Sequence, residues 1–325
     1  AGIAAVQGWA ATCGDDPALT RQAAQTGEPV LERLRHADPH TRSRYLRALG
    51  PGATGVGGLL RWLAPGDREH LLADVPASLI KRDRTYDVIG GVAGLIGPLA
   101  AAQGFPATGL LTAAAEHLAA GQLPNGGWPS RMGSRPLTGL AHGAAGCGLA
   151  LLQAGAVLGR TDLVDAGAAA FDYEARLYDE QLGNWPDFRD QRVGTVPMVA
   201  WCHGAAGIGL SRVRALQILP EHPDATTWQE HLRAAMTTTA TAPPTATDHL
   251  CCGLTGRAAV LRIAGRAMAE PQWLAAADDL TTVVADRCAA TGRFRLPMDI
   301  PGRTAPAPGL MTGGAGIAAH LRSPS

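Results

Sequence analysis

Three cysteines stand in closely matched settings in this chain of 325 residues. Trp201-Cys202 runs into His203-Gly204-Ala205-Ala206-Gly207, and Cys251-Cys252 runs into Gly253-Leu254-Thr255-Gly256. A third segment, His142-Gly143-Ala144-Ala145-Gly146, repeats the pattern with a histidine at its head. Zinc binds thiolates well, and three protein ligands plus an open position make a catalytic site rather than a structural one. Cys202, Cys251 and Cys252 are therefore candidate ligands for Zn2+. Neighbouring cysteines reach one metal only where the backbone turns sharply, and Gly253 eases that turn. The competing readings are buried small residues, a common fate of cysteine, or a disulfide.

A neutral imidazole at His142 could take or give a proton near pH 7. Asp87 also stands just before a glycine motif, in Tyr86-Asp87-Val88-Ile89-Gly90-Gly91. It could orient an imidazole and raise its basicity, or serve as a helix N-cap. His203 adjoins a candidate ligand and could be a fourth ligand, a second proton donor or rim packing. Cys13, Cys147 and Cys288 fall in helical runs and read as packing residues. Asp248 and His249 read as solvated loop, and Trp185 as a residue that lines a peptide groove or pins a loop.

The elements that must carry these residues repeat. A Gly-x-x-Gly opening recurs at Gly52/Gly55, Gly91/Gly94, Gly143/Gly146, Gly204/Gly207, Gly253/Gly256 and Gly313/Gly316, and Ala1 to Ala5 resembles the tail of another copy. A run of small and aliphatic residues follows each copy and predicts a helix apolar on nearly all sides. Between these lie amphipathic runs, at Arg21 to His36, Arg68 to Arg82, Asp162 to Tyr178, Thr227 to Thr238 and Gln272 to Cys288. No alternating strand pattern interrupts them. The prediction is an all-α, double-layered α/α-toroid of about seven inner and six or seven outer helices. An open helical solenoid is the rival, but the irregular period favours a closed barrel whose rim loops vary in length. Pro- and Gly-rich stretches at Pro124 to Pro136, Asn184 to Pro197, Ala240 to Thr247 and Pro297 to Pro308 read as those loops, so residues 1–325 form one domain.

Composition narrows the function. A formal net charge of zero gives no footprint for nucleic acid. Apolar stretches are too short for a membrane span, and no signal peptide opens the chain. Six cysteines are too sparse for a disulfide scaffold, which points to a reduced, cytoplasmic setting.

With these segments in order, the chain resembles the lanthionine synthetase C-like family, in particular the cyclase domain of class II lanthipeptide synthetases (LanM type). The segments that carry the resemblance are the Asp87 glycine motif, His142-Gly143, Asn184-Trp185-Pro186-Asp187-Phe188-Arg189, Trp201-Cys202-His203-Gly204, Leu250-Cys251-Cys252-Gly253 and Pro308-Gly309-Leu310-Met311-Thr312-Gly313. The resemblance implies an α/α-toroid with a central zinc ion held by Cys202, Cys251 and Cys252. It implies Michael-type addition of cysteine thiols to dehydroalanine or dehydrobutyrine in a ribosomal precursor peptide, giving lanthionine and methyllanthionine rings. His142 is then the acid/base candidate, Asp87 its partner, and His203 a further candidate proton donor. The implied partners are the dehydrated precursor peptide and a dehydratase domain, fused or separate, which is absent from this chain. Many family members have histidine where this chain has Cys252, and an all-thiolate set should make the substrate thiolate more nucleophilic.

Other readings fit less of the sequence. A toroid glycosidase needs paired carboxylates at the barrel mouth, and only Asp87 is placed for that. A prenyltransferase-like toroid needs an aromatic-lined cavity, and aromatic residues make up 5% of the chain. The non-enzyme alternative is a peptide-binding toroid with a structural zinc, which would close its site with four protein ligands.

Overall fold

The structure, a computed structural model, describes Glu32, His36, Val75 and residues 77–102, 107–190, 196–297 and 310–322. Ten helices lie wholly within the stretch from Ala77 onward: α1 (Ala77–Arg82), α2 (Ala93–Ala101), α3 (Ala107–Ala120), α4 (Ala144–Leu158), α5 (Thr161–Ala175), α6 (Ala205–Ile218), α7 (Ala225–Thr241), α8 (Leu254–Met268), α9 (Pro271–Thr291) and α10 (Gly314–Arg322). Among the described residues no strand forms beyond an isolated bridge between Asp179 and Asn184. None of their helices is long and apolar enough to cross a membrane.

Two layers follow from the packing. Helices α2, α4, α6, α8 and α10 touch in chain order and make the inner layer, while α3, α5, α7 and α9 lie against them from outside. This is the alternating arrangement of an α/α-toroid. The Gly52/Gly55 copy, the Ala1 to Ala5 tail, Cys13 and the run from Arg21 to His36 lie outside the described residues, apart from Glu32 and His36, both helical and exposed. Most of the loop from Pro297 to Pro308 also lies outside them.

Sequence chemistry separates the layers. Inner α4 buries Ala144, Ala145, Cys147, Ala150, Leu151, Leu152 and Ala154, residues on every side of the helix. Outer α7 buries only Trp228, Leu232, Ala235, Met236 and Thr239, a stripe with helical spacing. Full burial of each large apolar side chain in that stripe stabilises the fold by about 1.5–3 kcal/mol. Helix α3 escaped the sequence reading because its segment, ATGLLTAAAEHLAA, has Glu116 as its only formal charge apart from His117.

The inner helices are less uniformly apolar than their sequences suggest. Arg212 of α6 and Arg257 of α8 are fully buried. Arg257 donates to the carbonyls of Thr239, Ala242 and Pro243, at 2.6–2.7 Å, so it satisfies groups left open where α7 ends. Arg212 faces Glu174, as described below.

The two ends of the layers differ. At one end the connections are tight: α4 stops at Gly159 with φ 65°, and α8 stops at Ala269 with Pro271 opening α9. At the other end long loops lead into each inner helix and carry the glycine motifs. In four of the motifs the second glycine faces a carbonyl six residues back. A Cβ at Gly146, Gly207, Gly256 or Gly316 would overlap the carbonyl of Leu140, Trp201, Leu250 or Leu310 respectively. That close approach folds each loop tightly over its helix.

Candidate metal centre and acid-base pair

Backbone hydrogen bonds tie the motif loops into one rim. Val88 N–H donates to the Ala141 carbonyl (3.1 Å), Ala141 N–H to Cys202 (3.0 Å), Cys202 N–H to Cys251 (3.3 Å) and Cys251 N–H to Met311 (2.8 Å). In each loop the two residues before the first glycine are equivalent: Ile89-Gly90, Ala141-His142, Cys202-His203, Cys251-Cys252 and Met311-Thr312. Repeat geometry thus aims Cys202 and Cys251 from one kind of position, and His142, His203 and Cys252 from the next. The first loop has Gly90 in that second position, and Asp87 supplies the functional group instead.

The cysteines converge. Cys202 Sγ lies 3.2 Å from Cys252 Sγ, and Cys252 Sγ lies 3.5 Å from Cys251 Sγ. All three sulfurs lie within 4.8 Å of one another, so the trio could hold a metal ion. The donor set fits zinc: three soft sulfurs, with Cys202 buried and the other two half-buried. Hydrogen bonds with Cys202 and Cys251 hold Cys252 down at about 3. Hydrogen bonding with Cys251 and Cys252, then burial, pushes Cys202 far up.

Asp87 and His142 form a pair at the same rim. His142 Nδ1 donates to Asp87 Oδ2 at 2.6 Å, which leaves Nε2 available for proton transfer. Asp87 Oδ1 accepts from the backbone N–H groups of Gly90 (2.8 Å) and Gly91 (3.2 Å), so the carboxylate is fixed to its own loop. The His142 side chain is 22% exposed and that of Asp87 is 9% exposed. His203 stacks on His142 with ring centroids 5.6 Å apart. It adjoins Cys202 in sequence, so it bridges the acid-base pair and the sulfur cluster. His203 is buried, its Nε2 has no partner among the described residues, and burial pulls its pKa down to about 4.

Buried polar residues hold these loops in place. Glu174 Oε1, at the end of α5, accepts from Gly139 N–H (2.8 Å) and Ala145 N–H (3.0 Å), on either side of His142. Its Oε2 faces Arg212 Nη2 at 3.1 Å, with both side chains fully buried. Asn184 Oδ1 accepts from Trp185 and Ala205 N–H at 2.9 Å, and its Nδ2 donates to the Met198 carbonyl at 3.2 Å. These bonds shape the loop that delivers Cys202. Glu174 and Arg212 were missed in the sequence; the available signal was an acid on the same face of α5 as Phe171.

One expectation changes and one alternative is decided. Asp248 and His249 are not solvated loop but buried. Asp248 accepts from Arg287 Nη1 (3.0 Å) and Arg295 N–H (2.8 Å), and His249 Nδ1 lies 3.1 Å from the Met311 carbonyl, so both brace the cysteine pair. Trp185 pins a loop: it is fully buried and its Nε1 donates to the Glu174 carbonyl at 2.9 Å. Cys147 is buried among apolar neighbours and Cys288 is half-buried in α9.

Comparison with known proteins agrees with this picture. The solved structure of nisin cyclase superposes with a TM-score of 0.74 at 14% sequence identity, covering 99% of this chain and 86% of that chain. That likeness shows the shared α/α-toroid fold. Among curated proteins none matches the chain. The family model described as "Lanthionine synthetase C-like protein" matches residues 67–324. Spanning most of the chain and every described loop of the rim, that match shows that the chain belongs to the lanthionine synthetase C-like family.

Proposed function

We propose that this chain is a zinc-dependent peptide cyclase. It closes lanthionine and methyllanthionine rings by adding cysteine thiols of a dehydrated ribosomal peptide to dehydroalanine or dehydrobutyrine. The observation that carries the proposal is the convergence of three sulfurs beside the Asp87–His142 pair on the rim of a family toroid. Zn2+ held by Cys202, Cys251 and Cys252 would lower the pKa of the peptide thiol and so favour its thiolate.

The protein's own residues handle the proton. The peptide sulfur forms a bond to Cβ of the dehydro residue, the Cα=Cβ electrons move toward the carbonyl, and Cα must then receive a proton. His142 Nε2 gives that proton as general acid and accepts the thiol proton on the next turn. Asp87 holds the Nδ1–H tautomer and steadies the imidazolium. His203 packs the imidazole from one side and is a second candidate donor if it is charged in the working enzyme. The free cysteines of the chain and the free thiol that the substrate must offer suit a reducing compartment such as the cytoplasm, with a dehydratase, fused or separate, making the substrate. Residues 1–325 act in this reading as one cyclase domain.

The test is direct. The zinc-loaded protein is incubated with a dehydrated, cysteine-bearing peptide, and free thiols are counted by alkylation. Thiol loss with unchanged peptide mass is the expected result, because the addition is an isomerisation. Full retention of thiols over many enzyme equivalents would sink the proposal. X-ray absorption separates catalysis from a structural zinc: three sulfurs and one exchangeable light atom support the cyclase, and four protein ligands support a binding module.

A further inference from the structure

The residue just before Asp87 has an unusual backbone that the chemistry above leaves unexplained. Among the described residues only Tyr86 (φ 60°) and Ala269 (φ 54°) combine a side chain with positive φ. Ala269 caps α8, where such a conformation is ordinary. Tyr86 caps no helix. Asp87 N–H donates to the Thr85 carbonyl at 2.7 Å, which closes a three-residue turn centred on Tyr86. With positive φ at its centre, such a turn is the rare and strained form. In three other motif loops Thr138, Val199 and Asp248 stand at the equivalent place, five residues before the first glycine, and none has positive φ. The reversal thus belongs to the loop whose functional group, Asp87, comes from a different position than in the others.

Strain of this kind persists only where the surroundings over-determine it. Asp83 Oδ2 accepts from the N–H groups of Tyr86 (3.0 Å) and Val92 (2.9 Å), and Oδ1 accepts from that of Thr85 (2.9 Å). The Tyr86 carbonyl accepts from Ala93 N–H (3.0 Å) and from the Cys147 thiol (3.7 Å), so the turn is tied to α2 and α4. The ring is held from the outer layer. It stacks on His117 of α3 with ring centroids 5.6 Å apart, and His117 Nε2 lies 3.0 Å from the Asp83 carbonyl. A Cβ at Gly121, just past the end of α3, would overlap the ring.

We infer that Tyr86 is a positioning residue for the acid-base pair. Its ring, seated on His117 and Gly121, anchors the strained turn to α3 and so fixes the Asp87 carboxylate 2.6 Å from His142 Nδ1. Tyr86 acts through Asp87, not through contact with substrate. Its effect on rate rests on the cyclase reading; its effect on the imidazole does not.

Two readouts on the full chain test it. The first is the tautomer of neutral His142, read from the nitrogen chemical shifts of isotope-labelled histidine and assigned with His142→Gln. The parent and Tyr86→Phe should keep the proton on Nδ1, where Asp87 holds it. Tyr86→Gly relieves the strained φ but removes the anchor, and should move proton population to Nε2, the site a free imidazole prefers. The second readout is thiol consumption. Tyr86→Phe should stay within about three-fold of the parent, while Tyr86→Gly should lose about ten-fold or more in kcat with KM unchanged, as expected of a misplaced group. Gly121→Ala, which displaces the ring from outside, should act like Tyr86→Gly and stands in for it should thermal melts show poor folding. Added to Tyr86→Gly it should cost nothing further, because both act through the ring. An Nδ1–H tautomer with parent kcat in Tyr86→Gly and Gly121→Ala overturns the inference. So does a rise in KM alone, which would make Tyr86 a peptide contact. A parent that consumes no thiols overturns the cyclase reading instead, and the tautomers then decide the positioning by themselves.

Discussion

Two carboxylates in this molecule are built alike and used differently. Asp87 Oδ1 and Glu174 Oε1 each accept two backbone N–H groups of a motif loop, and the second oxygen of each meets a nitrogen-bearing side chain. For Asp87 that side chain is His142, 22% exposed; for Glu174 it is Arg212, with no exposure at all. Arg212 also lies over the Phe171 ring, 3.6 Å from its centroid, which seals it further. Burial raises the pKa of Glu174 and lowers that of Arg212, so the pair spends its attraction offsetting its own desolvation. The contrast teaches that a carboxylate bridging two loop amides is scaffolding in both places. In the proposed reading, chemistry is added only at Asp87, whose partner is an imidazole that keeps some exposure.

The largest effects should come from breaking the sealed pair. Glu174→Ala leaves Arg212 buried without compensation and should cost about 3–5 kcal/mol of stability in denaturant unfolding. A Glu174→Gln/Arg212→Met double variant should recover part of that loss, and a double variant no better than the single would remove the ion pair from the explanation. At the open pair the outcome should reverse. Asp87→Asn keeps an oxygen for Gly90 and Gly91, so stability should change by less than about 1 kcal/mol. Thiol consumption should fall by about 10²-fold or more. Unimpaired turnover in this variant would show that Asp87, like Glu174, is scaffold alone.

Acid sharpens the same contrast. His320 Nε2 accepts from Arg262 Nη1 at 3.2 Å and lies 3.0 Å from Thr281 Oγ1, and burial lowers its pKa to about 4. The unfolded chain, with histidine near its ordinary value, then binds a proton that the folded state refuses. Stability should therefore be full above about pH 6.5 and fall as pH drops toward 4. Unfolding midpoints across that range should decline less steeply in His320→Gln, by on the order of 2 kcal/mol at the acid end. The smallest effect is expected at Cys252. Cys252→His should retain zinc yet slow cyclisation by about ten-fold or less, since one electron-rich ligand is exchanged; identical rates would argue that the third thiolate does not tune reactivity.

Much of this site was legible in the residues. The glycine motifs announced equivalent loops, and Cys202, Cys251, Cys252, His142 and Asp87 stood beside them. Asp248 and His249 were misread because a polar dipeptide before a turn has the composition of a solvated loop. Only the packing of Arg287 and the Arg295 backbone on Asp248 reveals a brace. Glu174 and Arg212 were hidden for a related reason: they belong to different helices, and neither has a local partner that marks it as part of a pair.

The amino-acid sequence alone determined the helical alternation, the repeated loop and the identity of the groups at its head, because period, glycine spacing and side-chain type are local properties. Tertiary structure decided which loops became neighbours, that three sulfurs lie within 4.8 Å of one another, and which of two similar carboxylates kept contact with solvent. Those outcomes depend on how layers stack and where water is excluded, and no stretch of chain carries that information by itself.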